Sequence, residues 1–382
     1  MNRRAFLHVS GLLALGGLLQ ACGSAATPAA SSAPPPPPSS APAAASKPAA
    51  ASAPASGAAS AKPAAVSGAA SGSASAKPAA SAANASAAAK PGQPKLIVTY
   101  GAPVGSFAPL WMAQAIGAFD KYGLSVDMRF VETNTAVTAQ IAKEIDVQEV
   151  SAAPVITVDV NGNQDLVMIA SALNHPILSL YALPSITNAE QLKGKPVGSD
   201  KAGTPVDYAT RVALSLMNLK PTDVQLLPLG PTGVIAGLLS GQIPAGVIAP
   251  PDTFTAEAKG FKLLQDIYSQ PYQNVALVAR KSRLDELAPG IKPLISAYRD
   301  AIAACFTQPD LFNKVQGEFA KVTDPDILKK NYDFYTKTAP FQKDMQPTMQ
   351  GIQAMIDFLG EGAAPNAKGH KAAEFVDLRF LS

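Results

Sequence analysis

Residues 196–249 read PVGSDKAGTPVDYATRVALSLMNLKPTDVQLLPLGPTGVIAGLLSGQIPAGVIA, and three strand-like segments alternate in this stretch with two helix-like segments. The strand-like segments are short, apolar and bounded by Gly or Pro, and the two longer segments between them have helical periodicity. Alternation of this kind is typical of parallel sheets joined by right-handed crossovers. The stretch therefore predicts an α/β fold.

The same alternation is present upstream, from Leu96 to Leu183, and purely helical patterns follow from Ile291 to Leu359. A weak internal repeat links the two halves, since Ala142–Val150 and Ser240–Ile248 each close a helix, turn and enter a strand. Two similar units in series predict two similar lobes. Folded sequence begins at Lys95, which leaves enough chain for two separate cores.

The N-terminus has the features of an export signal. Arg3 and Arg4 precede an apolar run, Val9–Leu19, that is shorter than the roughly 20 residues of a membrane span. The arginine pair resembles a twin-arginine signal, although His8 stands where lysine is usual, and export by the general route remains open. The run ends in Leu-Gln-Ala-Cys, which resembles the bacterial lipobox and predicts that Cys22 carries lipid. A signal cleaved elsewhere, with an incidental cysteine, is the alternative.

A linker follows the signal. Residues 23–94 are almost entirely Ala, Ser, Pro and Gly, and Lys-Pro-Ala-Ala recurs at Lys47, Lys62 and Lys77. Such a composition lacks the large apolar groups that offset the entropy of ordering, so we predict a disordered tether. The predicted organisation is a signal over 1–22, a linker over 23–94 and a folded remainder.

Composition excludes several classes of function. A formal net charge of +3 without a basic patch gives nucleic-acid binding no support. With Cys22 acylated, Cys305 has no cysteine to pair with, and its apolar surroundings predict a core position. No Cys or His pair has metal-ligand spacing, and no nucleophile or phosphate-loop motif is present. We therefore expect neither a metal nor a cofactor, and no enzyme activity.

Several segments carry a family resemblance, in order along residues 95–382. They include GSFAPLW at Gly105–Trp111, GAFDKYGLSV at Gly117–Val126, LKGKPVG at Leu192–Gly198 and LSGQI at Leu239–Ile243. Together they resemble the periplasmic solute-binding proteins of ABC importers, in the NMT1/THI5-like branch that includes taurine, sulfonate, nitrate and thiamine-pyrimidine-precursor binders. Pro244 departs from the pattern, since it stands where an aspartate is usual in a turn.

This resemblance implies a two-lobed periplasmic binding protein fold of type II, in which each lobe has a mainly parallel sheet flanked by helices. We place the two crossings near residues 183–185 and 274–278, which makes lobe 1 residues 95–183 and 279–382, and lobe 2 residues 184–278. The implied function is capture of a small organic ligand between the lobes and its delivery to an ABC permease and ATPase. The implied protein is a monomer anchored outside the cytosol by the lipid on Cys22.

The loop at 199–204 is the strongest candidate for ligand contact from the residues themselves. It follows a strand and precedes a helix, whose first amides are unpaired and carry about half a positive charge. Gly203 allows close approach of backbone, Thr204 adds a hydroxyl and Lys201 adds a charge, so an oxyanion is a suitable ligand. The alternative is that Thr204 caps its helix, with Pro205 at the first helical position.

The resemblance implies further contacts in the loops around the cleft. These residues are Ser106, Phe107, Asn134, Thr135, Ser151, Asn174, His175, Gly230 and Pro250. Helix capping and turn formation are the alternatives for Asn134, Thr135 and Ser151, and a core position is the alternative for Phe107. Trp111 could stack on a flat ligand or pack between helix and sheet. An organosulfonate, an aromatic carboxylate and a pyrimidine are the ligands considered.

Two other functions remain open. The chain could present its ligand to a membrane receptor as a sensing module. It could also resemble a pyrimidine synthase that consumes an active-site histidine, for which His175 is the candidate. Its export signal argues against that second alternative.

Overall fold

The computed structural model describes residues 92–162 and 165–382. The chain divides into two units, Met1–Lys77 and Pro78–Ser382, and every described residue belongs to the second. The predictions for the signal, for Cys22 and for the linker up to residue 91 lie outside the described residues. Within the described part of the chain, no helix has the length and apolar character needed to cross a membrane.

The described residues form ten strands and eleven α-helices. The strands are β1 (Lys95–Tyr100), β2 (Ser125–Phe130), β3 (Val147–Val150), β4 (Leu166–Leu173), β5 (Ser179–Ala182), β6 (Pro196–Ser199), β7 (Gln225–Pro228), β8 (Ala245–Ile248), β9 (Lys262–Asp266) and β10 (Val275–Arg280). The helices are α1 (Ala108–Ala115), α2 (Ala118–Lys121), α3 (Thr133–Ile141), α4 (Ala152–Val160), α5 (Pro205–Leu216), α6 (Gly230–Ser240), α7 (Asp252–Ala258), α8 (Leu284–Thr307), α9 (Pro309–Phe319), α10 (Pro325–Asp333) and α11 (Met349–Gly360).

The strands form two five-stranded sheets with equivalent topology. The first has the order β2-β1-β3-β10-β4 and the second has the order β7-β6-β8-β5-β9. Strands β1, β2 and β3 are parallel, as are β6, β7 and β8. Strands β10 and β5 run antiparallel to both of their neighbours. The predicted two-lobed α/β fold is confirmed, although each sheet is mixed.

The internal repeat found in the sequence corresponds to this equivalence. Its two copies, Ala142–Val150 and Ser240–Ile248, lead into β3 and β8, which occupy the third position of their sheets. Each pairs in parallel with the strand at the second position of its own sheet, β1 or β6. The similar sequence pattern thus builds the same step of the topology twice.

Two strand assignments differ from the sequence prediction. β5 lies in the second sheet and β10 lies in the first, whereas the predicted boundaries placed β5 in lobe 1 and divided β10, with residues 275–278 in lobe 2. The chain therefore passes between the sheets within residues 174–178 and again within 267–274. Both strands are apolar and buried throughout their central residues. Burial alone carries no sign of which sheet a strand joins, so the sequence did not locate the crossings.

The helix predictions failed at two places. The helical periodicity of Pro109–Phe119 predicts a single helix, but Gly117 adopts φ 69° and separates α1 from α2. Helix α4 was missed altogether. Its segment, AAPVITVDV, contains four β-branched residues in a row at Val155–Val158, which favour strands in isolation. Tertiary packing overrides that preference, because Val155 and Ile156 are fully buried.

Helices cover both faces of the first sheet, and all eight residues of β4 are buried. On one face, Val147 and Leu277 pack with residues of α1 and α8. On the other face, Val150 and Val278 pack with residues of α4 and α11, in a cluster that continues into the second sheet. Cys305 lies in the first of these cores, as predicted, and burial raises the pKa of its thiol.

Candidate functional site

Each sheet has a topological switch point, at β1 in the first sheet and at β6 in the second. The chain leaves β1 for β2 on one side and returns to β3 on the other, and β6 is flanked by β7 and β8 in the same way. Loops at such a point diverge from the carboxyl ends of the strands and leave a crevice where open α/β sheets bind ligands. The crevice loops begin after Tyr100 and Val150 in the first sheet, and after Ser199 and Ile248 in the second.

The two crossings between the sheets are joined directly. The Asn274 amide donates to the His175 carbonyl at 2.8 Å, and the Ala152 amide donates to the Gln273 carbonyl at 3.2 Å. These bonds connect the second crossing to the first crossing and to the start of α4. The crossings thus form one connected hinge region, and His175 lies in it.

Asn174 is held by this region and not left open for a ligand. Its side-chain oxygen accepts from the Ser171 hydroxyl at 2.6 Å, and its amide donates to the Gln346 carbonyl at 2.7 Å. The Gln273 amide also donates to Ser171 Oγ, at 2.8 Å. Both polar groups of Asn174 therefore fix the end of β4 to the segment before α11, which favours a structural role.

The loop before α5 does not present the open amides that the sequence predicted. The buried Asp207 carboxylate accepts from the Gly203 amide at 3.0 Å, and the Arg211 side chain donates to it at 2.7 Å. The Thr204 hydroxyl accepts from the Asp207 amide at 3.3 Å, so Thr204 is the N-cap residue. Because a carboxylate of the chain already occupies this helix end, the structure argues against the predicted oxyanion site. Lys201 is exposed beside it.

Gly203 has a packing role at the same place. Its φ is +83°, and a Cβ atom there would lie 2.5 Å from Ala363 Cβ. The loop before α5 is therefore packed against the chain that follows α11. This contact explains the glycine without a ligand.

The loop after β1 carries an aromatic cluster. The Tyr100 ring lies 6.1 Å from Phe107 and 5.7 Å from Phe130, between ring centroids. Phe130 is 51% exposed, whereas Phe107 is buried. The cluster gives the first lobe an apolar rim at the switch point. Ser106 is buried at the turn that precedes α1.

Trp111 occupies the core and not the rim. It is fully buried, its ring stacks on Phe319 at 5.1 Å, and Tyr100 meets it edge-on at 5.5 Å. Of the two interpretations of Trp111, the structure supports packing between helix and sheet.

The remaining predicted residues lie at the crevice loops. Asn134 and Thr135 are exposed in the first turn of α3, and Ser151 precedes α4, where its hydroxyl lies beside the buried Tyr272. Gly230 begins α6 with φ +70°, and a Cβ atom there would lie 3.9 Å from Asp200 Oδ1. The loops after β6 and β7 are therefore neighbours, since Asp200 follows β6 and Gly230 follows β7. Pro250 is buried after β8.

Four aromatic residues that the sequence did not single out lie where the two lobes meet. They are Phe254, Tyr268, Phe334 and Tyr335. Phe334 lies 5.1 Å from Tyr268 and 6.3 Å from Phe254, between ring centroids, and Tyr335 follows it in a π-helical turn. Phe254 and Tyr268 belong to the part of the chain around the second sheet but pack against the core of the first. π-Helical turns are frequent at functional sites, but no sequence pattern indicated this one.

A buried carboxyl group lies beneath the first-lobe rim. Glu149 of β3 is fully buried, and neither carboxyl oxygen has a hydrogen-bond partner among the described residues. Burial raises the pKa of Glu149 well above its usual range, and the neighbouring Tyr298 hydroxyl offsets this only in part. Burial therefore favours the protonated form of this carboxyl group more than it is favoured in an exposed glutamate.

A surface hollow of about 430 Å³ lies elsewhere, between the end of α8 and residues 336–344. At the edge of this hollow, the Lys343 ammonium lies 4.4 Å from the centre of the Phe306 ring. None of the predicted site residues lines this hollow. In the described chain, no group of three His, Cys, Asp or Glu side chains could hold a metal ion.

A family model described as NMT1/THI5 like matches residues 105–311, which is more than half of the chain. The chain belongs to the NMT1/THI5-like family. The match begins at residue 105, in the loop after β1. It includes the other crevice loops of both sheets and both crossings. The resemblance read from the sequence is thereby confirmed at the level of the family.

Relatives of this NMT1/THI5-like chain agree with the fold. The taurine-binding periplasmic protein of Escherichia coli is 24% identical over 296 residues, which cover 72% of this chain and 90% of the relative. The periplasmic aliphatic sulphonate binding protein SsuA of Escherichia coli superposes with a TM-score of 0.63 at 17% identity, covering 74% of this chain and 97% of that one. The desulfurization enzyme DszB superposes with a TM-score of 0.59 at 16% identity, covering 75% and 97%. The fold is thus shared by binding proteins and by an enzyme.

Proposed function

We propose that this chain is an extracytoplasmic solute-binding protein that captures a small organic ligand between two lobes and delivers it to an ABC importer. The observation that carries this proposal is the pair of equivalent sheets whose switch points open at carboxyl strand ends, joined by crossings that bond to each other through Asn274 and His175. Two lobes on one hinge allow closure around a ligand, which stabilises the closed state by its differential affinity.

The proposed lobes follow the sheets. Lobe 1 comprises residues 95–173 and 275–382, and lobe 2 comprises residues 179–266, with the two crossings between them. This division moves β5 and β10 relative to the boundaries predicted from sequence. It is supported by the hydrogen-bonded pairing of each strand within its own sheet.

The named binding proteins among the relatives support a binding function, although the enzyme DszB shares the fold. The Escherichia coli relative that covers most of the chain is named a binding protein, and so is SsuA. The enzyme alternative rested on His175, whose carbonyl accepts the hinge bond from Asn274. That position favours a structural role for the residue. The family resemblance implies delivery to a permease by a monomer, and presentation of the ligand to a membrane receptor is the alternative.

The proposed location is the outer face of the cytoplasmic membrane or the periplasm. It is supported by the lipobox-like sequence that ends at Cys22, by the export signal before it and by the periplasmic relatives. The Ala/Ser/Pro linker would hold the lobes away from the lipid.

A thermal-shift screen of the full chain against small organic acids, amines, sulfonates and pyrimidines tests the binding function. A true ligand raises the melting temperature in proportion to the logarithm of its concentration above Kd, by mass action. The proposal predicts that at least one class of compound gives a rise that grows with the logarithm of its concentration. A flat response across the whole screen, with the protein folded, would contradict it.

A further inference from the structure

The chain after β10 reaches both lobes. It contributes no strand to either of the two described sheets, and its helices α8 and α9 pack into the core on one face of the first sheet. Helix α10 and the π-helical turn meet the second lobe on that same face. Helix α11 meets the second lobe on the opposite face. The lobes are therefore in contact on both faces, and the two contacts differ in character.

The α11 contact is a buried apolar core. Ile352 and Ile356 of α11 are fully buried in the same cluster as Val206 and Tyr208 of α5. The Phe358 ring also meets the Tyr208 ring edge-on, with centroids 5.1 Å apart. Separation of α5 from α11 would expose this continuous apolar surface to water, which is unfavourable. The two lobes are therefore joined firmly on this side.

The contact on the opposite face is smaller and partly open to solvent. Phe254 and Tyr268 are both half-buried and meet the Phe334 ring edge-on, with centroids 6.3 Å and 5.1 Å apart. Phe254 lies in the first turn of α7, after the carboxyl end of β8. The contact therefore flanks the crevice, at the edge of the second lobe that faces the first.

An ion pair lies beside these rings. The Lys330 ammonium of α10 is 3.5 Å from Glu257 Oε2 of α7, and it lies 5.8 Å from the centre of the Phe254 ring. The other carboxylate oxygen of Glu257 accepts from the Tyr181 hydroxyl at 2.7 Å, which fixes the acid to β5 of the second sheet. Both charged side chains are more than a third exposed, so the pair contributes little free energy and breaks readily.

The difference between the two contacts indicates which side of the molecule opens. Movement of two lobes about a hinge breaks the contact that costs the least free energy and keeps the one that costs the most. The α11 contact is a continuous core, whereas α7 is held by edge-on rings and an exposed ion pair. Parting of the lobes at α7 therefore leaves the core intact and opens the crevice along its α7 side.

We propose that the Lys330–Glu257 pair and the ring of Phe334 form a latch that holds the lobes closed, and that the contact of α5 with α11 is the pivot on which they open. This inference rests on the proposed closure of the lobes and adds which side chains set its equilibrium. A ligand that bridges the lobes binds the closed form, so its apparent affinity varies with the fraction of molecules that are closed. The latch thus controls the affinity through that fraction.

The separation of the lobes in the free protein tests the latch. Spin labels at Thr138 of α3 and Ala236 of α6, both exposed, report that separation by double electron–electron resonance in the full chain with Cys22→Ala. Lys330→Glu places a second carboxylate beside Glu257, and we predict that it lowers the ratio of closed to open molecules about fivefold. Because no ligand is added, the result is independent of the thermal-shift screen, and failure of the latch would leave the binding function standing.

A double-mutant cycle assigns the effect to the pair. Glu257→Gln keeps the oxygen that accepts from Tyr181 but removes the charge, so Lys330→Glu in that background should change the ratio by less than about twofold. Lys329→Glu is the matched control, because Lys329 is exposed on the same helix and pairs with Asp333 within the first lobe. Equal distributions for Lys330→Glu and the parent would overturn the latch, as would the same shift in Lys329→Glu or in both backgrounds. Melting curves establish that every variant is folded.

A second pair of labels tests the pivot. Ser215 of α5 and Asp357 of α11 are exposed on the two helices that the buried core joins. In Lys330→Glu, the separation between these labels should change less than that between Thr138 and Ala236. An equal or larger change between Ser215 and Asp357 would place the opening on this side and would overturn the assignment of the pivot.

Discussion

The Asp207 carboxylate accepts the backbone amide of Gly203 at 3.0 Å and thereby occupies the N-terminus of its own helix, α5. The same carboxylate binds the Arg211 guanidinium at 2.7 Å. The sequence predicted an oxyanion site here because a helix start offers unpaired amides, with Gly203, Thr204 and Lys201 beside them. The chain instead uses this turn to bind its own side chain.

Replacing Asp207 by asparagine is expected to destabilise the protein by about 1–3 kcal/mol. The substitution removes a buried, charge-assisted acceptor from the Gly203 amide and leaves Arg211 without its partner. Urea denaturation measures the effect. Asp326→Asn is the control, since Asp326 is an exposed acid in the first turn of α10 and should change stability little. Equal midpoints for both variants would contradict the capping role.

Glu149→Gln is expected to stabilise the protein at neutral pH. Burial raises the pKa of Glu149 in the folded state, whereas the unfolded chain has the ordinary value near 4.5. Because the folded state holds the proton more tightly, Glu149 contributes stability below that value and loses it as pH rises towards the folded pKa. The advantage of the glutamine variant should therefore be small near pH 4 and grow with pH.

Thermal melts from pH 4 to pH 9 measure this difference. Glu361→Gln is the matched control, because Glu361 is exposed after α11. An advantage of the Glu149 variant that does not change with pH would show that the carboxyl group ionises alike in both states. That result would contradict a raised pKa of Glu149 in the folded state.

Gly105→Ala is expected to destabilise the folded protein by about 1–3 kcal/mol, as overpacking does. A Cβ atom at Gly105 would lie 2.3 Å from the ring of Tyr335, which is itself fully buried. Gly362→Ala is the control, since a Cβ atom there meets nothing within 4 Å. Denaturation midpoints that fall equally in the two variants would argue against the packing of Tyr335 beneath the loop.

Cys22→Ala is expected to release the mature protein from the membrane. In the parent, mass spectrometry of the membrane fraction should find acyl chains on an N-terminal cysteine, because two or more chains are needed for stable anchoring. Cys305→Ala is the control, since that thiol is buried and should not carry lipid. A parent protein found unacylated and inside the cell would contradict the proposed location.

The sequence predicted the elements that local pattern determines. Short apolar runs bounded by Gly or Pro became β1, β2, β6 and β8 to within two residues, and Pro205 marked the first residue of α5. The repeat before β3 and β8 correctly predicted two equivalent lobes. These features depend on neighbours along the chain, which the sequence displays directly.

Features that depend on distant contacts were not visible. The apolar pattern of β10 is the same whichever sheet it joins, so the crossings were misplaced. No sequence pattern near Gly203 indicates that its amide donates to the Asp207 carboxylate. Phe334 and Tyr335 lie in a helical tail whose aromatic residues look alike in sequence, and only the fold brings them against Tyr268. The sequence therefore indicated the loops at the carboxyl strand ends but not the aromatic residues where the two lobes meet.

The central claim is that the two lobes close on a ligand, and a distance across the crevice tests it most directly. Spin labels at Thr138 of α3 and Ala236 of α6, both exposed on equivalent helices, report that distance by double electron–electron resonance in a Cys22→Ala background. With the compound that stabilises the protein most, we predict a shorter and narrower distance distribution than without it. An unchanged distribution, at a ligand concentration about 100-fold above its Kd, would contradict closure of the lobes around the ligand.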